Sequence, residues 1–267
     1  MSKIVLITGA SSGIGKSTAE FLASKDYIVY GTGRNPKSNP DDSYSLIPLD
    51  VTKLDSIEKA ISHIIVKEGR IDVLVNNAGM GITGPIEDTP TDEMRKVFET
   101  NFFGAIDVMK AVLPHMRQQK SGVIINVTSI AGSMGLPYRG IYSATKGALE
   151  LVTEATRMEV KEFGITMANV APGDVATNIA AGRYHTPVFE NSAYKQKYQL
   201  NLNLMDVHVD SGMNPIKMAE QIYKIINTSH PKVHYKVGAF MEKFSIVLKR
   251  ILPSKMYEKL LMNHYKL

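Results

Sequence analysis

The chain has 267 residues, 44% of them hydrophobic and 21% charged, which suits a soluble globular protein with room for one large α/β domain. It has no cysteine, which excludes disulfides, a thiolate metal site and a cysteine nucleophile. The net charge of +5 is uneven: residues 1–212 carry 21 basic and 23 acidic side chains and residues 213–267 carry 10 and 3, so the basic excess lies in the C-terminal fifth.

Lys3–Thr8 reads as a buried strand, because Ile4-Val5-Leu6-Ile7 is continuously apolar. That run is too short for a signal peptide. Gly9–Gly15 reads as a turn and Ile14–Lys25 as a helix with Ala19, Phe21 and Leu22 on its apolar side. Tyr27–Gly31 is the next strand, and Arg34–Ser43, with two prolines and several small polar residues, is a loop. Ser45–Leu49 is strand-like and ends at Asp50, and a helix follows over Leu54–Lys67. Ile71–Val75 is a strand that runs into Asn76-Asn77-Ala78-Gly79. Asp92–Gln119 reads as one or two helices, with Pro114 expected to kink or break the second. Val123–Val127 is another buried strand. Ile141–Phe163 is a long helix closed by Gly164, and Ile165–Val170 is a strand ended by Pro172-Gly173. Strands alternating with helices predict a parallel sheet covered on both faces, and right-handed crossovers make it doubly wound. One domain over 1–267 is expected. No stretch approaches the roughly 18 apolar residues of a membrane span, so a cytoplasmic location is expected.

Near the C-terminus, Phe240, Met241, Phe244, Val247, Leu248, Ile251 and Leu252 recur at near-helical spacing, with Lys243, Lys249 and Arg250 between them. Pro253 breaks this helix, and Met256–Leu261 begins a second, giving a helical extension over 239–267. A basic amphipathic helix can lie on an anionic membrane. It can also pack on the pocket or on a partner subunit with its charges solvated, and packing is the preferred reading.

The chemistry is carried by three motifs. In Thr8-Gly9-Ala10-Ser11-Ser12-Gly13-Ile14-Gly15, glycines between a strand and a helix allow close backbone approach, and the helix N-terminus favours phosphate. At the end of the second strand, where a carboxylate would bind the ribose 2′-hydroxyl of NAD, the sequence has Thr32-Gly33-Arg34-Asn35. Arginine pairs well with phosphate, so Arg34 points to the 2′-phosphate of NADP(H). Third, Tyr142 and Lys146 are spaced to share a helix face, and Ser129 precedes them by thirteen residues. A phenol, with an ordinary pKa of about 10, exchanges its proton more readily beside a cation, and a serine hydroxyl can hold a substrate oxygen. These are the parts needed to move a proton on or off an alcohol or carbonyl. The seven histidines show no metal-ligand spacing, and no nucleic-acid motif accompanies the basic residues.

Together these motifs resemble the short-chain dehydrogenase/reductase family over at least Lys3–Thr177, closest in pattern to its hydroxysteroid and retinol dehydrogenase branch, a likeness strongest over Met134–Lys146. The resemblance implies a Rossmann-type fold and a nucleotide site built from Thr8, Gly9, Ser11, Ser12, Gly13, Ile14 and Gly15, with Asp50 and Val51 on the adenine side. It adds Asn77, Ala78 and Gly79 near the cofactor, with Asn76 in a structural role. It also adds Pro172, Gly173, Val175 and Thr177 near the nicotinamide and phosphates. It makes Tyr142 the acid/base, with Lys146 lowering its pKa and binding the ribose, Ser129 holding the substrate oxygen, and Asn101 completing a proton path. It further implies hydride transfer between a nicotinamide and a carbonyl or secondary alcohol, in a homodimer or homotetramer. A non-catalytic NADP(H)-binding regulator of the same fold is the alternative. Residues 182–212 are expected to form a lid. There Tyr184, Val188, Phe189, Tyr194, Tyr198, Leu200, Leu202, Leu204 and Met205, together with 133–138, suit a lipophilic substrate.

Overall fold

The computed structural model describes residues 2–37, 43–177, 182–210 and 212–267, and of 206–210 the backbone alone. Part of the loop expected over Arg34–Ser43, residues 38–42, lies outside the described residues.

Four successive apolar residues can all be buried only in a strand that is covered on both sides. Strand β1 (Ile4–Ile7) does this: Ile4 and Leu6 enter one apolar layer, Val5 and Ile7 the other. The chain continues through α1 (Gly13–Ala23), β2 (Ile28–Gly33), β3 (Ser45–Pro48), α2 (Leu54–Glu68) and β4 (Val73–Asn76). Next come β5 (Ile82–Thr83), α3 (Thr91–Phe98), α4 (Gly104–Gln119), β6 (Gly122–Val127), α5 (Gly140–Glu159) and β7 (Ile165–Pro172). The remainder is β8 (Tyr184–His185), α6 (Lys195–Asp210), α7 (Ile216–Ile226), β9 (His234–Val237), α8 (Phe240–Ile251) and α9 (Ser254–Tyr265).

Seven strands form one parallel sheet in the order β3-β2-β1-β4-β6-β7-β9. Ile57, Ile61 and Ile64 of α2, Val108, Val112 and Met116 of α4, and Leu149 of α5 cover one face. Ala19 and Leu22 of α1 and Met218, Ile222 and Ile225 of α7 cover the other. The chain starts at the centre of the sheet, runs outward to β3, and crosses back to β4. The switch point therefore lies between β1 and β4, and a crevice opens beyond their C-terminal ends, where such sheets bind ligands.

Two expectations change. Pro114 neither breaks nor ends a helix: α4 runs through it to Gln119. Pro114 and Lys110 are exposed, so water can serve the carbonyl that the proline leaves unbonded, while buried Val112 and Met116 hold the helix down. The helix expected to reach Phe163 ends at Glu159, and a 3₁₀ turn (Lys161–Phe163) leads to Gly164 at φ 72°. Between α3 and α4, Glu99–Phe103 forms one wide π turn.

The C-terminal extension packs inward. Ile246 and Tyr257 join Ile130, Met134 and Ala171 in a third apolar cluster. Glu242, in the first turn of α8, accepts the Ala239 backbone N–H (2.6 Å) at one carboxylate oxygen and the Asp174 N–H (2.7 Å) at the other. Lys249 Nζ donates to the Ser133 carbonyl (2.9 Å), and Arg139 Nη2 donates to the Tyr265 hydroxyl (2.8 Å). This agrees with the packing reading of the segment. Replacing Glu242 by Ala leaves two backbone donors without their charged acceptor and should cost about 1–3 kcal/mol. The check is a lowered urea midpoint at unchanged m value, and an unmoved midpoint would show the clasp to be idle.

Candidate functional site

The glycine loop after β1 is built for close approach. Gly9 and Gly13 have φ of +67° and +55°. A side chain at Gly15 would place its Cβ 2.3 Å from the Gly9 carbonyl and 2.5 Å from Asn77 Nδ2. No side chain caps the N-terminus of α1 at Ser12, so that end of the helix faces the crevice with its backbone donors open. An uncapped helix start inside a loop that tolerates no extra methyl group fits a pyrophosphate.

Around it runs a cleft of about 520 Å³, lined by Gly9, Ser11, Ser12, Gly13 and Ile14 on one side and Arg34, Asp50 and Val51 beyond them. Asn77, Ala78, Gly79, Pro172, Gly173, Val175 and Thr177 line it too. Thr177 stands close enough to Gly13 that a side chain there would touch it at 3.4 Å. Two expected residues stand behind this wall. Thr8 is buried, with its hydroxyl accepting the Asn77 and Ala78 backbone N–H groups (2.9 and 3.0 Å). Gly15 is buried in the loop's packing. Asn77 closes the arrangement by donating to the Thr8 and Gly9 carbonyls, both at 3.0 Å. Asn76 holds strands, donating to Asn126 Oδ1 (2.9 Å) and to the Ala105 carbonyl (3.2 Å).

Beyond the glycine loop Arg34 is exposed, next to Gly33, and Ser11 lies against that glycine. Burial pushes the Asp50 carboxyl up, but hydrogen bonds from the Thr52 N–H and hydroxyl, with Lys53 and Arg34 nearby, hold it below its ordinary value.

The other end of the cleft holds Ser129, Tyr142 and Lys146 together. Ser129 leads the 3₁₀ turn Ile130–Ser133, where its hydroxyl accepts the Ala131 N–H at 3.1 Å. Helix α5 meets that turn backbone to backbone: a Cβ on Gly147 would lie 2.8 Å from the Gly132 carbonyl, and one on Gly132 would lie 2.9 Å from the Lys146 carbonyl carbon. Two glycines thus set the spacing between the serine and the tyrosine–lysine pair.

Lys146 is 5% exposed and donates to the Val127 carbonyl at 2.9 Å. Burial pulls its ammonium down to about 8, against a partial lift from Glu150. Its Nζ lies 5.9 Å from the Tyr142 ring centre. Burial raises the Tyr142 pKa, opposed by a hydrogen bond with Ser129 and by the charges of Arg139 and Arg183, while Asp174 adds to the rise. These two arginines also line the cleft. Lysine is spent on a carbonyl because the pleat of β6 presents Val127 O at the depth its side chain reaches. Neither arginine stood out in the sequence, since nothing in its spacing ties residue 183 to residue 142.

Asn101 occupies the π turn and is 1% exposed. Its Oδ1 accepts the Met80 N–H (2.8 Å), and its Nδ2 donates to the Met80 carbonyl (2.9 Å) and to Thr145 Oγ1 (3.2 Å). The side-chain amide thus locks the backbone after Gly79 and has little capacity left for a water.

The parallel pair β5–β8 brings 184–185 against 82–83, and the Tyr198 hydroxyl donates to the Thr83 carbonyl at 3.0 Å. A second cavity, about 330 Å³ and mostly apolar, shares Ile82 with the cleft and is walled also by Pro85, Ile86, Leu136, Tyr138, Ile141, Tyr194 and Leu267. Among the described residues no group of three acidic, histidine or cysteine side chains could hold a metal, and no helix is long and apolar enough to cross a membrane.

The family model for short chain dehydrogenases matches residues 3–187. The 3-ketodihydrosphingosine reductase of Bacteroides thetaiotaomicron is 40% identical over 257 residues, covering 96% of this chain and 95% of its own. Retinol dehydrogenase 8 of Homo sapiens is 38% identical over 250 residues, 86% of this chain and 79% of its own. A solved short-chain dehydrogenase from Streptomyces avermitilis superposes with a TM-score of 0.82 at 32% identity, covering 97% of each chain. A glycine-cradled crevice, a Ser–Tyr–Lys cluster at its far end and a family match over more than two thirds of the length carry one conclusion: the chain belongs to the short-chain dehydrogenase/reductase family, whose members are oxidoreductases that bind nicotinamide dinucleotides.

Proposed function

We propose that this protein is an NADP(H)-dependent reductase of a lipophilic ketone or aldehyde, steroid-, retinoid- or sphingoid-like, working in the cytoplasm as a homo-oligomer. The observation that carries the reading is one cleft with the glycine loop and Arg34 at one end and Ser129, Tyr142 and Lys146 at the other. The apolar cavity that shares Ile82 with this cleft supports a lipophilic substrate, as does the likeness to proteins named for sphingoid and retinoid chemistry. The basic C-terminal segment would meet the lipid phase from which such a substrate comes.

The residues that would hold the dinucleotide are those of the glycine loop for its pyrophosphate, Ser11 and Arg34 for the 2′-phosphate, Asp50 and Val51 for the adenine side, and Asn77–Gly79, Pro172–Val175 and Thr177 towards the nicotinamide. Bound NADPH would supply the hydride. Tyr142 would give its proton to the substrate oxygen, and Ser129 would donate a hydrogen bond to the same oxygen as charge develops there. Lys146 would leave the Val127 carbonyl in part to bind ribose hydroxyls, keeping a positive charge below the reacting oxygen. The raised phenol pKa suits reduction, because Tyr142 stays protonated and able to donate. Asn101, with its amide bound to Met80, would act by holding the backbone near Gly79.

Tyr142→Phe should lower kcat by at least about a hundredfold while NADPH binding, followed by fluorescence, stays near wild type. Retained turnover would remove the assignment. Arg34→Asp should shift the NADP-to-NAD ratio of kcat/KM towards NAD by about tenfold or more, the loss of one charge-assisted phosphate contact; an unchanged ratio would place the 2′-phosphate elsewhere. For ketone reduction, kcat/KM should fall as pH rises through about 8, where the buried Lys146 gives up its proton earlier than a free lysine would. A plateau reaching pH 10, the ordinary phenol value, would show that the charge on Lys146 is not needed.

A further inference from the structure

Helix α8 wears an apolar stripe outward. Phe240, Phe244, Val247 and Ile251 follow at intervals of four, three and four, so they share one face, and all four are exposed, Phe240 by 73% and Ile251 by 72%. The opposite face is the one that docks: Glu242 clasps the Asp174 backbone, Lys249 binds the Ser133 carbonyl, and Ile246 is buried. A surface helix normally turns its apolar stripe to the core. Here Ile246, Leu248 and Leu252 already meet the inner cluster, and the stripe is a second apolar row left outside, with the phenyl rings stacked on each other 5.7 Å apart at 12°. Helix α9 repeats the pattern, with Tyr257 and Tyr265 buried and Met256 and Leu260 exposed.

The flanks are cationic. Lys243 and Arg250 border the stripe on α8, and Lys255 and Lys259 border the exposed residues on α9; all four are exposed. Residues 240–267 hold six basic and two acidic side chains. Two copies of this face would each bring that positive excess to a shared contact, so self-association is opposed by like charge. An anionic bilayer surface satisfies both parts, taking the rings and aliphatic side chains below its headgroups and the ammonium groups among its phosphates.

We infer that α8 and α9 form a docking surface for an anionic lipid bilayer. The surface lies on the outer side of the elements that wall the substrate end: α8 holds the loop beginning at Ser133, and Leu267, past the end of α9, lines the apolar cavity with Tyr138 and Tyr194. The docking goes beyond the reductase reading and is measured without substrate or turnover, so either can fail alone.

The test is co-sedimentation of the full chain with vesicles of phosphatidylcholine containing phosphatidylserine, at low salt, beside phosphatidylcholine alone. The protein should pellet with the anionic vesicles, leave them as salt rises, and lose about fivefold in partition for each of Lys243→Ala and Arg250→Ala. The double variant F240S/I251S, both at exposed positions, should stay in the supernatant while its thermal midpoint and NADPH binding match wild type. Absence of pelleting with anionic vesicles overturns the proposal, as does equal partition into the neutral ones. A lipid-free dimer in sedimentation equilibrium that the double variant abolishes would give the face to a second copy instead.

Discussion

The site depends on backbone contact between α5 and the turn that follows β6. Gly147 and Gly132 meet with no space for a methyl group, and this brings one helix face within reach of Ser129 and under the sheet's C-terminal edge. At that depth Lys146 must give up most of its water, at a cost of several kcal/mol for an ammonium. The Val127 carbonyl and the nearby negative Glu150 offset part of it, and the remainder is visible as a pKa of about 8. An outward shift of α5 would return the lysine to water.

The cleft and the apolar cavity next to it come from different kinds of structure. The cleft is walled by loops that leave parallel strands at the switch point, and Thr8, Asn77 and Asn101 spend their polar atoms on backbone groups of those loops. The cavity is assembled from segments far apart in sequence: β5, Leu136–Tyr138, Tyr194 and Leu267. The C-terminal extension touches both, since Glu242 grips the Asp174 backbone in the loop after β7 while Lys249 and Tyr265 hold both sides of the Ser133–Arg139 segment.

Much of the sheet was legible in the sequence, because parallel strands covered on both sides need mostly apolar residues, and Ile4–Ile7, Val73–Val75 and Val123–Ile125 have them. What escaped was structure with weaker local patterns. Strand β9 (His234–Val237) alternates poorly because it is an edge strand, and the two-residue strands β5 and β8 exist only through each other. Helix α7 carries a readable signal, Met218, Ala219, Ile222, Ile225 and Ile226 at helical spacing, that the sequence reading passed over. Pro114 and the early end of α5 show the opposite error, where local rules gave way to exposure and to the packing around a helix.

The residue types and their spacing alone determined the family, the parallel sheet, the glycine loop and the three side chains at its far end, since each follows from short-range rules: strand burial, a turn that admits no side chain, and four residues per shared helix face. The tertiary structure alone decided which cations face the phenol, where Lys146 puts its proton, and that α8 turns an apolar row outward. Those outcomes depend on distances between residues remote in the chain and on how much water each group loses, and neither quantity is written in a local pattern.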